Sequence, residues 1–105
     1  MSLSEPSAET ITRRRLTRVR GLDTAFQRLC AGRDEADQRI AEITAAMKNA
    51  PSDQSEALRQ AQIDKSWLER EISAAAAALE EARELLRQAE RAERCEREDR
   101  YGAVN

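Results

Sequence analysis

Apolar residues recur along two stretches of this chain at alternating steps of three and four. In the first stretch the repeating positions are Val19, Leu22, Phe26, Leu29, Arg33, Ala36, Ile40, Ile43 and Met47, with an arginine holding one apolar place. In the second they are Leu58, Ala61, Lys65, Leu68, Ile72, Ala75, Leu79, Ala82, Leu86 and Ala89, with a lysine holding one. Neither stripe slips. A repeat of this kind marks an α-helix that buries a narrow seam against another helix. It predicts helices over about 10–49 and 53–100. Ile11 and Leu16 lie off the first register, so the opening turns are expected to drift around the helix or fray. Gly21 and Gly32 each cost a helix about 1 kcal/mol relative to alanine. Either marks a place for a local bend, and Gly21 is an alternative start if the first turns are loose.

The stretch Asn49-Ala50-Pro51-Ser52-Asp53 separates the two stripes. Pro51 lacks an N–H and disfavours helical geometry at Ala50, so the first helix must stop there. Ser52 or Asp53 then caps the second helix, and Asp53 with Glu56 resembles a capping box. Pairing the stripes in antiparallel order matches Ile43 with Leu58, Ile40 with Ala61, and Ala36 with Lys65. The same order matches Arg33 with Leu68, Leu29 with Ile72, Phe26 with Ala75, Leu22 with Leu79, and Val19 with Ala82. The residue numbers of every pair add to 101. One constant over eight layers keeps the seams in phase and puts the pivot between Ala50 and Pro51. The predicted fold is all-α, an antiparallel two-helix coiled-coil hairpin. The five small residues Ala74 to Ala78 leave room for close packing of further helices, as in a dimer forming a four-helix bundle, or serve only to promote helix.

Composition agrees with long helices. Charged residues make up 36% of the 105, nineteen residues are alanine, and one each are Trp, Tyr and Phe, which is too little bulk for a compact core. Residues 1–9, with Ser2, Ser4, Pro6 and Ser7, read as a flexible tail, and 101–105 as another, with Gly102 ending the second helix. No apolar run suits a membrane span or a secretory leader, and a cytoplasmic chain is expected. In the hairpin register Cys30 lies near position 71 and Cys95 is roughly 36 Å further along, too far for an intrachain disulfide. Two free thiols are expected, with an intermolecular link as the alternative.

Arg33 and Lys65 sit in the seams at neighbouring levels. Their stems are expected to pack while their charged ends reach Asp34, Asp37, Asp64 or Glu69, and the pair can also act as a polar layer fixing register. Beyond the last seam residues, Glu90 with Arg94, Glu93 with Arg97 and Glu96 with Arg100 are favourable i,i+4 pairs.

Two features stand out as candidate partner-binding sites. Arg13, Arg14, Arg15, Arg18 and Arg20 gather five positive charges in eight residues at the open end of the hairpin. They pair with the acidic stretch containing Glu80, Glu81, Glu84 and Glu90, or they contact phosphates, or they bind an acidic protein. Ile63 and Trp67 lie four apart, outside the seam, and form either an exposed patch for a partner or for a second copy, or a cover over the side of the hairpin. The chain has no His, no Gly-rich phosphate loop, no nucleophile elbow and no metal-spaced ligands, so neither catalysis nor a cofactor or metal is expected.

The stretches Arg15-Leu16-Thr17-Arg18-Val19-Arg20 and Leu79 through Arg97, with the hairpin pattern between them, resemble the central-stalk proteins of flagellar and type III secretion export ATPases. That resemblance implies a cytoplasmic, non-enzymatic coiled coil whose arginine-bearing end enters an ATPase ring. Needle subunits of secretion systems are similar at Pro51-Ser52-Asp53 and near Trp67, but Gln54 stands where they carry a second proline. Secreted hairpins of the type VII kind are similar in length; their Trp-x-Gly bend is absent, and Asn105 stands where an acidic residue should follow Tyr101. Both rank below the stalk reading. The chain therefore reads as an interaction or assembly subunit. A phage- or plasmid-type nucleic-acid-binding accessory protein, using the arginine cluster, is the alternative class.

Overall fold

The computed structural model of the protein describes residues 6–49 and 54–102. Two α-helices account for nearly all of them: α1, Ala8–Asn49, and α2, Ser55–Gly102. The fold is all-α, two long helices packed against each other as in a helical hairpin. The expected turn over 50–53, with its cap at Ser52 or Asp53, lies outside the described residues.

α1 begins earlier than the sequence suggests. The Thr10 N–H donates to the Ser7 hydroxyl at 3.2 Å, and the Ile11 N–H donates to the Ser7 carbonyl at 3.0 Å. Ser7 is therefore a helix cap rather than part of a tail: its side chain satisfies a donor that would otherwise be orphaned. Glu9, in the first turn, adds a favourable charge at the positive end of the helix. At the start of α2 the Leu58 N–H donates to the Gln54 carbonyl at 2.9 Å, and Glu56 holds the corresponding first-turn place.

Neither Gly21 nor Gly32 interrupts α1, and neither has a positive φ. A Cβ built on Gly32 would meet the Leu68 methyls at 3.5 and 3.8 Å, whereas one on Gly21 would meet nothing within 4 Å. The Gly21→Ala variant should therefore gain helix propensity without steric cost. An increase in stability of about 1 kcal/mol is expected, read as a rise of several degrees in a thermal melt followed by circular dichroism.

The chain divides into two compact units, Thr24–Ala76 and a second made of Met1–Asp23 with Ala77–Asn105. In the first unit the buried residues are Ile43, Ala61 and Ile72. Every other seam position predicted there, from Phe26 to Met47 and from Leu58 to Ala75, is half-buried. Contacts across the pair fit the predicted register: Leu68 lies against Gly32, and the Lys65 ammonium meets the Asp37 carboxylate at 2.6 Å. Lys65 also lies 3.9 Å from Glu69, and Arg33 lies 3.9 Å from Asp34. The two seam cations thus bury their stems and turn their charged ends to carboxylates at the rim. The hydrogen bond and the charge of Asp37 hold the Lys65 pKa above the usual lysine value.

In the second unit the buried residues are Leu79, Ala82 and Ala89, with Val19, Leu22 and Leu86 half-buried beside them. The seam does not drift toward the N-terminus. It continues through Arg15, Thr12 and Ala8, all half-buried, which match Leu86, Ala89 and Glu93 by the same constant. The Thr12 hydroxyl donates to the Ala8 carbonyl at 2.9 Å and lies 3.4 Å from the Ala89 carbonyl on the facing helix. Ile11 and Leu16 are not signs of fraying. They flank this seam on either side and are themselves half-buried.

Candidate interaction surfaces

The arginine cluster divides by helix geometry. At about 100° per residue, Ile11, Arg14, Arg15 and Arg18 share one face of α1, while Arg13 and Arg20 point elsewhere. Arg13 donates to Glu9 at 2.7 Å, an i,i+4 pair within the same helix. Arg20 is also engaged within the chain. Arg14, Arg15 and Arg18 make no ion pair with a described residue. Together with Ile11 they line a shallow depression of about 240 Å³. Arg14 and Arg18 are exposed, whereas Arg15 is half-buried because its stem fills a seam layer.

Pairing of this cluster with Glu80, Glu81, Glu84 and Glu90 is not what the structure holds. Glu84 instead accepts from Arg87 at 2.6 Å and lies 3.8 Å from Arg91. Its hydrogen bond and attraction to Arg87, with Arg91 adding less, hold its pKa below the usual carboxylate value. Glu84 is thus satisfied by arginines of its own helix, Arg87 one turn away and Arg91 two, before those of α1 can compete. Arg83 turns the other way and lies 3.8 Å from Asp23 on α1. Of the three i,i+4 pairs expected near the end of α2, Glu93 with Arg97 forms at 3.2 Å. Glu90 with Arg94 does not, and the side chain of Arg100 lies outside the described residues.

Ile11 was the member of this surface that charge counting missed. Its signal was present in the spacing Ile11, Arg14, Arg15, Arg18, which follows the i, i+3, i+4, i+7 rule of one helical face.

Ile63 and Trp67, at 50% and 53% exposure, are the large hydrophobic residues that the described chain leaves open. Both lie on the face of α2 turned away from Ala61, Lys65, Leu68 and Ile72, so the indole does not cover the side of the helix pair. This surface belongs to the Thr24–Ala76 unit and the arginine surface to the other.

Cys30 is half-buried, Cys95 is exposed, and both thiols are free. Among the described residues no cluster of three or more His, Cys, Asp or Glu side chains could hold a metal ion, and no helix is long and apolar enough to cross a membrane. Comparison of the chain with protein-family models, curated proteins and solved structures finds no match in any of the three.

Proposed function

We propose that this chain is a non-enzymatic interaction subunit of the cytoplasm that docks on an acidic surface of a protein partner through Ile11, Arg14, Arg15 and Arg18. The observation that carries this reading is the set of three arginines without a carboxylate partner among the described residues, gathered around one apolar side chain. A guanidinium fork suits bidentate contacts to Asp and Glu side chains, and Ile11 supplies an apolar floor from which a partner can exclude water. The depression is smaller than most small-molecule pockets, which supports a side-chain guest over a metabolite. The resemblance to export-ATPase stalk proteins would make the partner an ATPase ring.

Binding to such a ring should fall roughly a hundredfold in the Arg14→Glu/Arg18→Glu variant, which reverses two exposed charges and spares the seam residue Arg15. A pull-down against the purified ATPase, with duplex DNA at low salt as the second arm, checks this. Unchanged capture of the ATPase sinks the assignment of these residues. DNA binding that the substitutions abolish favours the nucleic-acid class instead.

A further inference from the structure

α2 carries a second seam that no described residue covers. Gln60, Ile63, Trp67, Arg70 and Ala74 follow one another at steps of three and four on the face opposite the buried seam, and all five are exposed. The flanks of this stripe have opposite charge. Arg59 lies on one side, and Arg70, within the stripe, leans toward it. Asp64 and Glu71 lie on the other. Arg59, Arg70 and Glu71 make no ion pair with a described residue, and the Asp64 carboxylate only accepts a hydrogen bond from the Gln60 amide at 3.0 Å.

We propose that this stripe is a self-association face on which a second copy of the chain docks α2 against α2, parallel and in register. Two arguments select that occupant. The charge pattern selects the orientation. A two-fold axis running along the helices brings the basic flank of one copy onto the acidic flank of the other, whereas an antiparallel copy would set like charges together. In the parallel arrangement Arg59 faces Asp64 of the partner subunit, while the two Arg70 stems meet at one level and each guanidinium turns out of the stripe toward Glu71 of the partner subunit. The five-residue step from Arg59 to Asp64 is the one by which flanking positions bridge a parallel helix pair. The apolar residues select a copy of the same chain. Ile63 and Trp67 then meet their own counterparts at matched levels, and Ala74 lets the helices close in beyond them. A uniformly acidic or basic partner would be repelled by one flank. This inference is independent of the arginine surface on α1, because it uses only residues 59–74.

Sedimentation equilibrium of the full chain tests it. The expected result is a reversible dimer whose dissociation constant rises roughly thirtyfold or more in Trp67→Glu, since a buried tryptophan anchor is lost. Helix content by circular dichroism should be unchanged, because the residue is exposed. Arg59→Asp and Asp64→Arg should each weaken the dimer several-fold, and the double variant should restore it. Orientation is read in a Cys30→Ser/Cys95→Ser background carrying either Gln60→Cys or Ala74→Cys. In a parallel dimer each thiol cross-links to its own counterpart on mild oxidation. An antiparallel dimer permits this at one of the two positions at most. A chain that stays monomeric at every concentration overturns the proposal and leaves the stripe to a different protein. Cross-linking at only one position, or a double swap that fails to restore association, overturns the parallel register.

Discussion

One alanine inserted after Leu29 will abolish the cooperative unfolding of the Thr24–Ala76 unit. The insertion rotates everything beyond it by about 100° about the helix axis. If Arg33, Ala36, Ile40 and Ile43 keep their places against α2, Phe26 and Leu29 turn out to solvent; if those two stay, the other four leave. Ile43 is buried and Ile40 half-buried in this seam. Each large aliphatic side chain returned to water costs about 1.5–3 kcal/mol, and a chain of this length is stable by only about 5–15 kcal/mol in total. The unit has no second layer to absorb the loss. An alanine placed between Ala50 and Pro51 lies outside both helices and rotates neither, so it should leave the melting temperature nearly unchanged. Thermal melts of the two insertions, followed by circular dichroism, make the comparison. Equal damage from both would show that seam phase is not what holds the helices together.

The Leu79→Asp substitution should have the next largest effect, a loss of about 4 kcal/mol or more. Leu79 is 4% exposed and matches Leu22 in the second unit. Truncating such a residue to alanine costs about 2–5 kcal/mol. Aspartate adds the cost of placing a carboxylate where water cannot follow. Urea denaturation is the measurement, with Leu79→Ala and the exposed-site control Glu81→Ala beside it. The order of damage should be Asp, then Ala, with the control within about 0.5 kcal/mol of the parent. An Asp variant no worse than the control would mean that the layer is wet.

These two tests bear on what was legible in the chain. All nineteen predicted seam positions are at least half-buried, because an unbroken three-four repeat admits only one helix face to burial. The extension through Ala8, Thr12 and Arg15 was not legible, since a hydroxylated and a charged residue stand in that stripe between Ala8 and Val19 and break its apolar signal. The register constant would have found them. The cap at Ser7 was hidden for a related reason: a serine among other polar residues looks like a tail until a helix is known to start beside it. The arginine cluster could not be apportioned from spacing alone. Glu9 lies one turn from Arg13, and Arg87 one turn from Glu84, so local pairs formed in place of pairs between the helices. Ile63 and Trp67 were visible as a pair, and the angle between them and the buried seam decides that they face outward.

The register constant also has a kinetic meaning. Ile43 with Leu58 closes the shortest loop of any layer, and Ala8 with Glu93 the longest. Closing the longest first would cost roughly 1.5 kcal/mol more in chain entropy than closing the shortest. Once the inner layers exist, each outer layer adds only one further turn of helix to a partner already nearby. Assembly should therefore run like a zipper away from the connection, with the layers of the Thr24–Ala76 unit preceding those formed with residues 8–22. On a chain emerging from the ribosome, the arginines of α1 would be made before the rest of the helix pair and would be among the last of it to find their place.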